Sequence, residues 1–285
     1  MDKFIRSFDK TRIFYIYTPG INPFTLVFLH GVGANLTVWK NELNYFQKKG
    51  FSTLALDLRG HGNSDAPHSF DRYQLPCFSR DLHLILKQER ITDFSLIGHS
   101  LGGGIIIHYC MRYKRLFPSS LILIESASTY PFDHNRLLNL NPYVTNLLRF
   151  ISEHEATRRH HLPHLQEIDL SVKGIEKGLH VISHLLHLTP LECLVKTLDN
   201  VEQFVFHNQQ RINTALHGLH IPILIVAGSL DRIIPLKFSD QIKALNRKAQ
   251  LRILPGAEHR VIINHPRKVS HVVYEFLTKQ HLSSS

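Results

Sequence analysis

Apolar positions along the 285-residue chain follow two rhythms. One is continuous, as in residues 24–29, 51–56, 94–97, 121–124 and 221–227, with a further β-prone run at 250–254. Unbroken apolar runs of this kind belong to strands covered on both faces. The other rhythm returns every three or four residues. Trp39, Leu43 and Phe46 mark a helix over 36–49, and Phe78, Leu82, Ile85 and Leu86 mark another over 75–90. Two short β-prone runs at 4–8 and 12–17, separated by Asp9-Lys10, predict an N-terminal hairpin. Helices are also expected from Ile105 to about Phe117, where Pro118 ends the run, and over 235–246 and 266–279.

Between Pro131 and about Gly218 the strand pattern lapses. Helical spacing dominates there, around 143–155, 172–188 and 191–213, punctuated by prolines 131, 142, 163 and 190. Alternating β and α segments on either side predict a mostly parallel, eight-stranded sheet with helices on both faces and one helical insertion. The expected organisation is a core of residues 1–130 and 218–285, interrupted by an inserted unit over 131–217.

The fifth expected strand runs straight into a helix through Gly98-His99-Ser100-Leu101-Gly102. A strand that reverses into a helix this quickly needs a sharp, strained turn, and its glycines let the two elements approach closely. Ser100 would stand at the turn's apex, with the Leu101 amide at a helix N-terminus free to donate to a developing anion. A glycine-rich turn with an incidental serine has the same spelling, so Ser100's partners decide between the two.

Composition narrows the classes. The balance of 43% hydrophobic and 20% charged residues suits a globular domain able to bury a large core. A net charge of +10 raises the question of nucleic acid. The cations are scattered, as in Lys48-Lys49, Arg158-Arg159 and Arg267-Lys268, without a recognition motif, so no nucleic-acid partner is expected. Weak attraction to anionic surfaces remains open. Cys77, Cys110 and Cys193 are odd in number and far apart, giving no disulfide framework. No secretory leader or membrane-spanning run is spelled out, and the expected location is the cytoplasm.

Four motifs then resemble the α/β-hydrolase family over nearly the whole chain outside the insertion. Gly98 to Gly102 resembles its nucleophile elbow. His30-Gly31-Val32-Gly33 resembles the loop after the third strand that supplies an oxyanion amide. Residues 57–64, Asp57-Leu58-Arg59-Gly60-His61-Gly62-Asn63-Ser64, are similar to a structural loop of relatives that hydrolyse small esters and amides. Asp231, in Gly228-Ser229-Leu230-Asp231, and His259, in Pro255-Gly256-Ala257-Glu258-His259, each follow a strand, and the order Ser, Asp, His is the one this fold uses.

The resemblance implies Ser100 as nucleophile, His259 as base and Asp231 as acid, with the backbone amides of Val32 and Leu101 as the oxyanion hole; Gly33 could substitute for Val32. Glu125, at the end of the sixth strand, is a rival acid. Asp231 could instead cap the following helix, although Pro235 sits nearer that helix's start; Glu258 reads as a solvated loop charge, and His99 reads as packed against the sheet.

The implied activity is that of a serine hydrolase acting on a small-molecule carboxylic ester or related acyl compound, without a cofactor. Thioesterases, lactonases, carbon–carbon bond hydrolases, cofactor-free haloperoxidases and acyltransferases share the serine. Epoxide hydrolases and haloalkane dehalogenases, which use an aspartate at the elbow, do not. A ligand-sensing protein on the same fold is the alternative outside catalysis.

The insertion resembles the family's helical cap. Phe132, Leu138, Tyr143 and Leu147 could line an acyl pocket there, together with Leu137 and Phe150, or could simply pack the cap. Its histidines include His180, His184 and His187 on one presumed helix face, and His160, His161 and His164 nearby. Zinc sites use such spacing, but no metalloprotease-type acid accompanies these residues, so no metal is expected. Solvated or cap-lining histidines are the expectation, with a pH-sensitive lid as the alternative.

Overall fold

The computed structural model describes residues 2–131 and 189–282. Its strands are β1 (Asp2–Arg6), β2 (Arg12–Thr18), β3 (Asn22–Leu29), β4 (Phe51–Leu56), β5 (Phe94–His99), β6 (Ser120–Ile124), β7 (Ile223–Gly228) and β8 (Gln250–Leu254). They form one eight-stranded sheet in the order β1-β2-β4-β3-β5-β6-β7-β8. Strand β2 pairs antiparallel with both β1 and β4, and every pairing from β4 through β8 is parallel. Strands β3, β5, β6, β7 and β8 therefore bring their C-terminal loops side by side along one edge. That is where parallel α/β sheets place their ligands.

Helices cover both faces: α1 (Lys40–Lys48), α2 (Leu75–Gln88), α3 (Leu101–Arg112), α4 (Leu191–His217), α5 (Leu236–Leu245), α6 (Val261–Asn264) and α7 (Pro266–Leu282). The two-residue period of the strands divides the core. Val27, Leu29, Leu96, Leu121 and Leu123 face the layer of α2, α3, α4 and α5. Leu26, Phe28, Ile97, Ile122 and Ile124 face the layer of α1, α6 and α7. Both faces are buried, which explains why these strands spell unbroken apolar runs.

The differences from the sequence pattern are local. Helix α3 ends at Arg112, not near Phe117. Tyr113 turns extended and stacks on His83 of α2, ring centroids 4.0 Å apart, while Lys114 Nζ donates to the Cys110 carbonyl at the helix end. Residues 36–49 open with a 3₁₀ turn, Leu36–Trp39, before α1. Helix α4 runs four residues past the expected 213, to His217. The 3₁₀ turn Phe70–Tyr73 and the short α6 carry no clear periodic signal. Helix α4 leans on the core: Asn200 Nδ2 donates to the Phe70 carbonyl at 2.8 Å, and Gln209 Nε2 to that of Ser128 at 3.2 Å.

Glu42, in the first turn of α1, is 1% exposed, and among the described residues both its carboxyl oxygens lack a hydrogen-bond partner. Burial pushes its pKa from an ordinary 4.5 up to about 8. The folded-state pKa lies above the unfolded one, so the stability Glu42 permits is full below about pH 4.5 and drains as pH rises through 8. We expect Glu42→Gln, which has no proton to lose, to gain about 3 kcal/mol relative to wild type between pH 5 and 8 in urea unfolding. Parallel stability curves for the two proteins would disprove this.

Candidate active site

Strand β5 ends in a backbone that few side chains tolerate. Ser100 has φ 51° and ψ −116°, and its amide donates to the Ile124 carbonyl of β6 at 3.0 Å. The turn closes only without side chains on either flank. A Cβ on Gly98 would come within 2.4 Å of the Gly102 carbonyl carbon, and one on Gly102 within 2.3 Å of the Leu29 oxygen. Such a position costs about 1–3 kcal/mol and persists where the surroundings enforce it. Leu101 opens α3, where first-turn N–H groups have no intrahelical acceptor.

Asp231 and His259 meet across neighbouring loops. His259 Nδ1 donates to Asp231 Oδ2 at 2.9 Å, while Asp231 Oδ1 accepts from the amides of Ile233 and Ile234, both at 2.8 Å. Asp231 thus braces its own loop and pairs with His259, and it does not cap the following helix, whose N-cap is Pro235 with no side-chain hydrogen bond. The loops are tied by Leu230 N to the Ala257 carbonyl at 2.8 Å and by Gly256 N to Ser229 Oγ at 2.8 Å. With Nδ1 carrying its proton toward a carboxylate, His259 keeps Nε2 as a proton acceptor.

Glu125 pairs elsewhere. It is buried, has φ 46°, and its Oε2 lies 3.2 Å from His99 Nε2 and 3.3 Å from the Val261 amide. His99 is not merely packed against the sheet: its Nε2 also lies 3.0 Å from the His259 carbonyl, and the two imidazoles sit 5.0 Å apart. His99, Glu125 and His259 could present three ligand atoms within 4.8 Å of one another. The geometry assigns them differently, because His99 Nε2 faces two oxygen acceptors and His259 Nδ1 faces Asp231. Glu258 is exposed.

The loop after β3 reaches the elbow from the other side. A Cβ on Gly31 would lie 3.2 Å from Ser100 Cβ, so Val32 and Gly33 follow within two residues of that contact. The turn is closed by Ala34 N to the Gly31 carbonyl at 3.3 Å. His30 holds it: Nδ1 donates to the Gly31 carbonyl at 2.7 Å, and Nε2 accepts from the Leu58 amide at 3.0 Å. That pattern requires neutral imidazole, in keeping with burial depressing the His30 pKa well below its usual value. Asp57 fastens the same region, accepting from Leu36 N and Asn63 N at 2.7 Å each; burial raises its pKa to about 6, against the pull of those two amides.

Ser100, His259, Asp231, Val32 and Leu101 are all brought to one sheet edge. Phe132, Leu138, Tyr143 and Leu147, with Leu137 and Phe150, lie outside the described residues, as do His160, His161, His164, His180, His184 and His187. Cys77, Cys110 and Cys193 are free thiols. Among the described residues, no helix is long and apolar enough to cross a membrane.

Residues 25–166 match the family model described as the alpha/beta hydrolase fold. The chain belongs to the α/β-hydrolase fold family. Epoxide hydrolase 3 of Xenopus tropicalis is 23% identical, over 98% of this chain and 78% of the relative. The AB hydrolase superfamily protein YisY of Bacillus subtilis is 23% identical, over 88% and 90%. Among solved structures, the esterase EaEST of Exiguobacterium antarcticum superposes with a TM-score of 0.74 at 21% identity, covering 98% of this chain and all of that one. At such identities the structural likeness speaks to the fold. In this α/β-hydrolase, Asp231 and His259 lie beyond the segment that matches the family model, so the pairing of their side chains rests on geometry alone.

His99 is buried against the sheet, as its place in the sequence implied, while its hydrogen bonds to Glu125 and the His259 carbonyl, and the contact of the Val261 amide, were not foreseen. Strand parity held a usable signal: His99 shares a face with Ile97, the face that α6 covers.

Proposed function

We propose that this α/β-hydrolase cleaves a carboxylic ester or related acyl substrate through an acyl-enzyme on Ser100. Support comes chiefly from one arrangement: a serine is held at positive φ on a helix N-terminus, the side chain of the residue before it lies 3.0 Å from the His259 carbonyl, and His259 Nδ1 is fixed by a carboxylate. A neutral hydroxyl is a weak nucleophile and needs a base poised near neutrality. His259 Nε2 takes the Ser100 proton as Oγ attacks the carbonyl carbon, and Asp231 steadies the imidazolium that results. Negative charge on the carbonyl oxygen is met by the Val32 and Leu101 amides. Collapse expels the alcohol, which takes the proton from His259. Water then enters by the same route and releases the acid.

The name of the Xenopus relative raises epoxide opening as a second reading. That chemistry runs through an ester formed on an elbow carboxylate, and this chain has a hydroxyl there. A ligand-sensing role would leave the triad idle.

A panel of nitrophenyl esters of increasing acyl length, with styrene oxide as the contrasting substrate, separates these readings. Saturable ester hydrolysis and no epoxide turnover are expected. Epoxide opening without ester cleavage, or no turnover of either, would contradict the proposal.

A further inference from the structure

Resting on the serine-hydrolase reading, we propose that His99 and Glu125 are positioning residues that clamp the base-bearing loop to the back of the nucleophile elbow. His99 precedes Ser100 directly, so its backbone moves with the nucleophile. Its Nε2 faces two oxygens, Glu125 Oε2 at 3.2 Å and the His259 carbonyl at 3.0 Å. Neither oxygen can donate when Glu125 is ionised, so Nε2 carries a proton and is shared between them. The Glu125 Oε2 then accepts a second bond, from Val261 N at 3.3 Å, on the far side of His259. One imidazole and one carboxylate thus grip residues 259 and 261 from the elbow and from the end of β6.

The third side is the oxyanion loop. A Cβ on Gly31 would stand 2.9 Å from His99 Nδ1, so the His99 ring also lies against the loop that carries Val32. Attack, proton removal and oxyanion binding each depend on one of these three loops, and His99 touches all three. Glu125 is 1% exposed and held at φ 46°, with its amide donating to the Val226 carbonyl of β7 at 2.8 Å. The clamp is therefore anchored in the sheet and does not hang from a surface loop. Among the described residues its Oε1 has no hydrogen-bond partner, and the side-chain bonds seen there run through Oε2.

Loss of the clamp should slow chemistry at Ser100 without weakening substrate binding, because neither residue reaches the substrate in this scheme. A misplacement near 1 Å commonly costs about 10²-fold in rate. The test is the rate of fluorophosphonate labelling of Ser100, resolved into kinact and KI, with thermal unfolding as the folding control. His99→Met and Glu125→Met should lower kinact by about 10²-fold with KI unchanged. His99→Gln, which keeps a donor near the Nε2 position, and Glu125→Gln, which keeps an acceptor, should each recover to within about tenfold of wild type.

Folded Met variants that label at the wild-type rate, or Gln variants as slow as the Met ones, would overturn the clamp. Should the Met substitutions not fold, ¹⁵N spectra of wild-type histidines decide instead: His99 must show a protonated Nε2, and the Nδ1–H neutral tautomer overturns the proposal. Wild-type protein that does not label at all would remove the hydrolase reading itself, and the clamp with it.

Discussion

Asp231→Asn should lower ester turnover by about 10⁴-fold while leaving the fold intact. The reason lies in how the carboxylate is shared. Its Oδ1 already accepts from Ile233 and Ile234, so an asparagine will keep its oxygen there and turn its NH₂ toward His259. Facing a donor, His259 must present a bare Nδ1 and move its proton to Nε2. The base then has no lone pair for the Ser100 hydroxyl. Ser100→Ala removes the nucleophile outright and should cost ~10⁴–10⁶-fold. Both variants are read by initial rates on a short nitrophenyl ester, with circular dichroism to verify folding. Near-normal turnover in Asp231→Asn would pass the acid's role to Glu125.

Arg59→Met should destabilise the fold by about 3–5 kcal/mol, the range for breaking a buried ion pair from one side. Arg59 is fully buried. Its Nε and Nη2 each donate to Asp81 at 2.7 Å, and Nη1 donates to Asp9 at 2.9 Å and to the Arg72 carbonyl at 3.0 Å. Its guanidinium also lies 5.2 Å from the centre of the Phe8 ring. Methionine matches much of the volume but strands Asp81, which would retain Ser7 as its partner. Arg59→Lys should recover little, since one ammonium cannot reproduce the forked contact with Asp81. Urea unfolding at pH 7 measures both. A loss below about 1 kcal/mol in Arg59→Met would show that the network contributes little.

Much of this was legible beforehand. The strands announced themselves because helices cover both faces, leaving no polar alternation to confuse them with loops. The candidate site was legible through order: a serine between glycines, then an aspartate and a histidine just past later strands, the last two paired at 2.9 Å. Where the reading failed, side chains remote in sequence decided the outcome. Helix α3 stops at Arg112 because Tyr113 meets His83 across the helix pair, which no local pattern reveals. The polar loop 57–64 reads as scaffold and acts as one, but the contact by which it does so, Asp57 reaching back to Leu36 to brace the loop that carries Val32, is invisible in the sequence. His99 was read as packed against the sheet and is buried there, but its polar partners, Glu125 and the His259 carbonyl, lie 26 and 160 residues away and left no local trace.

The central claim is that Ser100 forms a covalent acyl intermediate. Its most direct test is intact-mass and peptide mass spectrometry after exposure to a fluorophosphonate, in wild type and in Ser100→Ala. Stoichiometric modification of the peptide containing Ser100 in wild type, absent in the variant and after unfolding, is the expected result. A folded wild-type protein left unmodified, or modified equally in Ser100→Ala, would contradict the account.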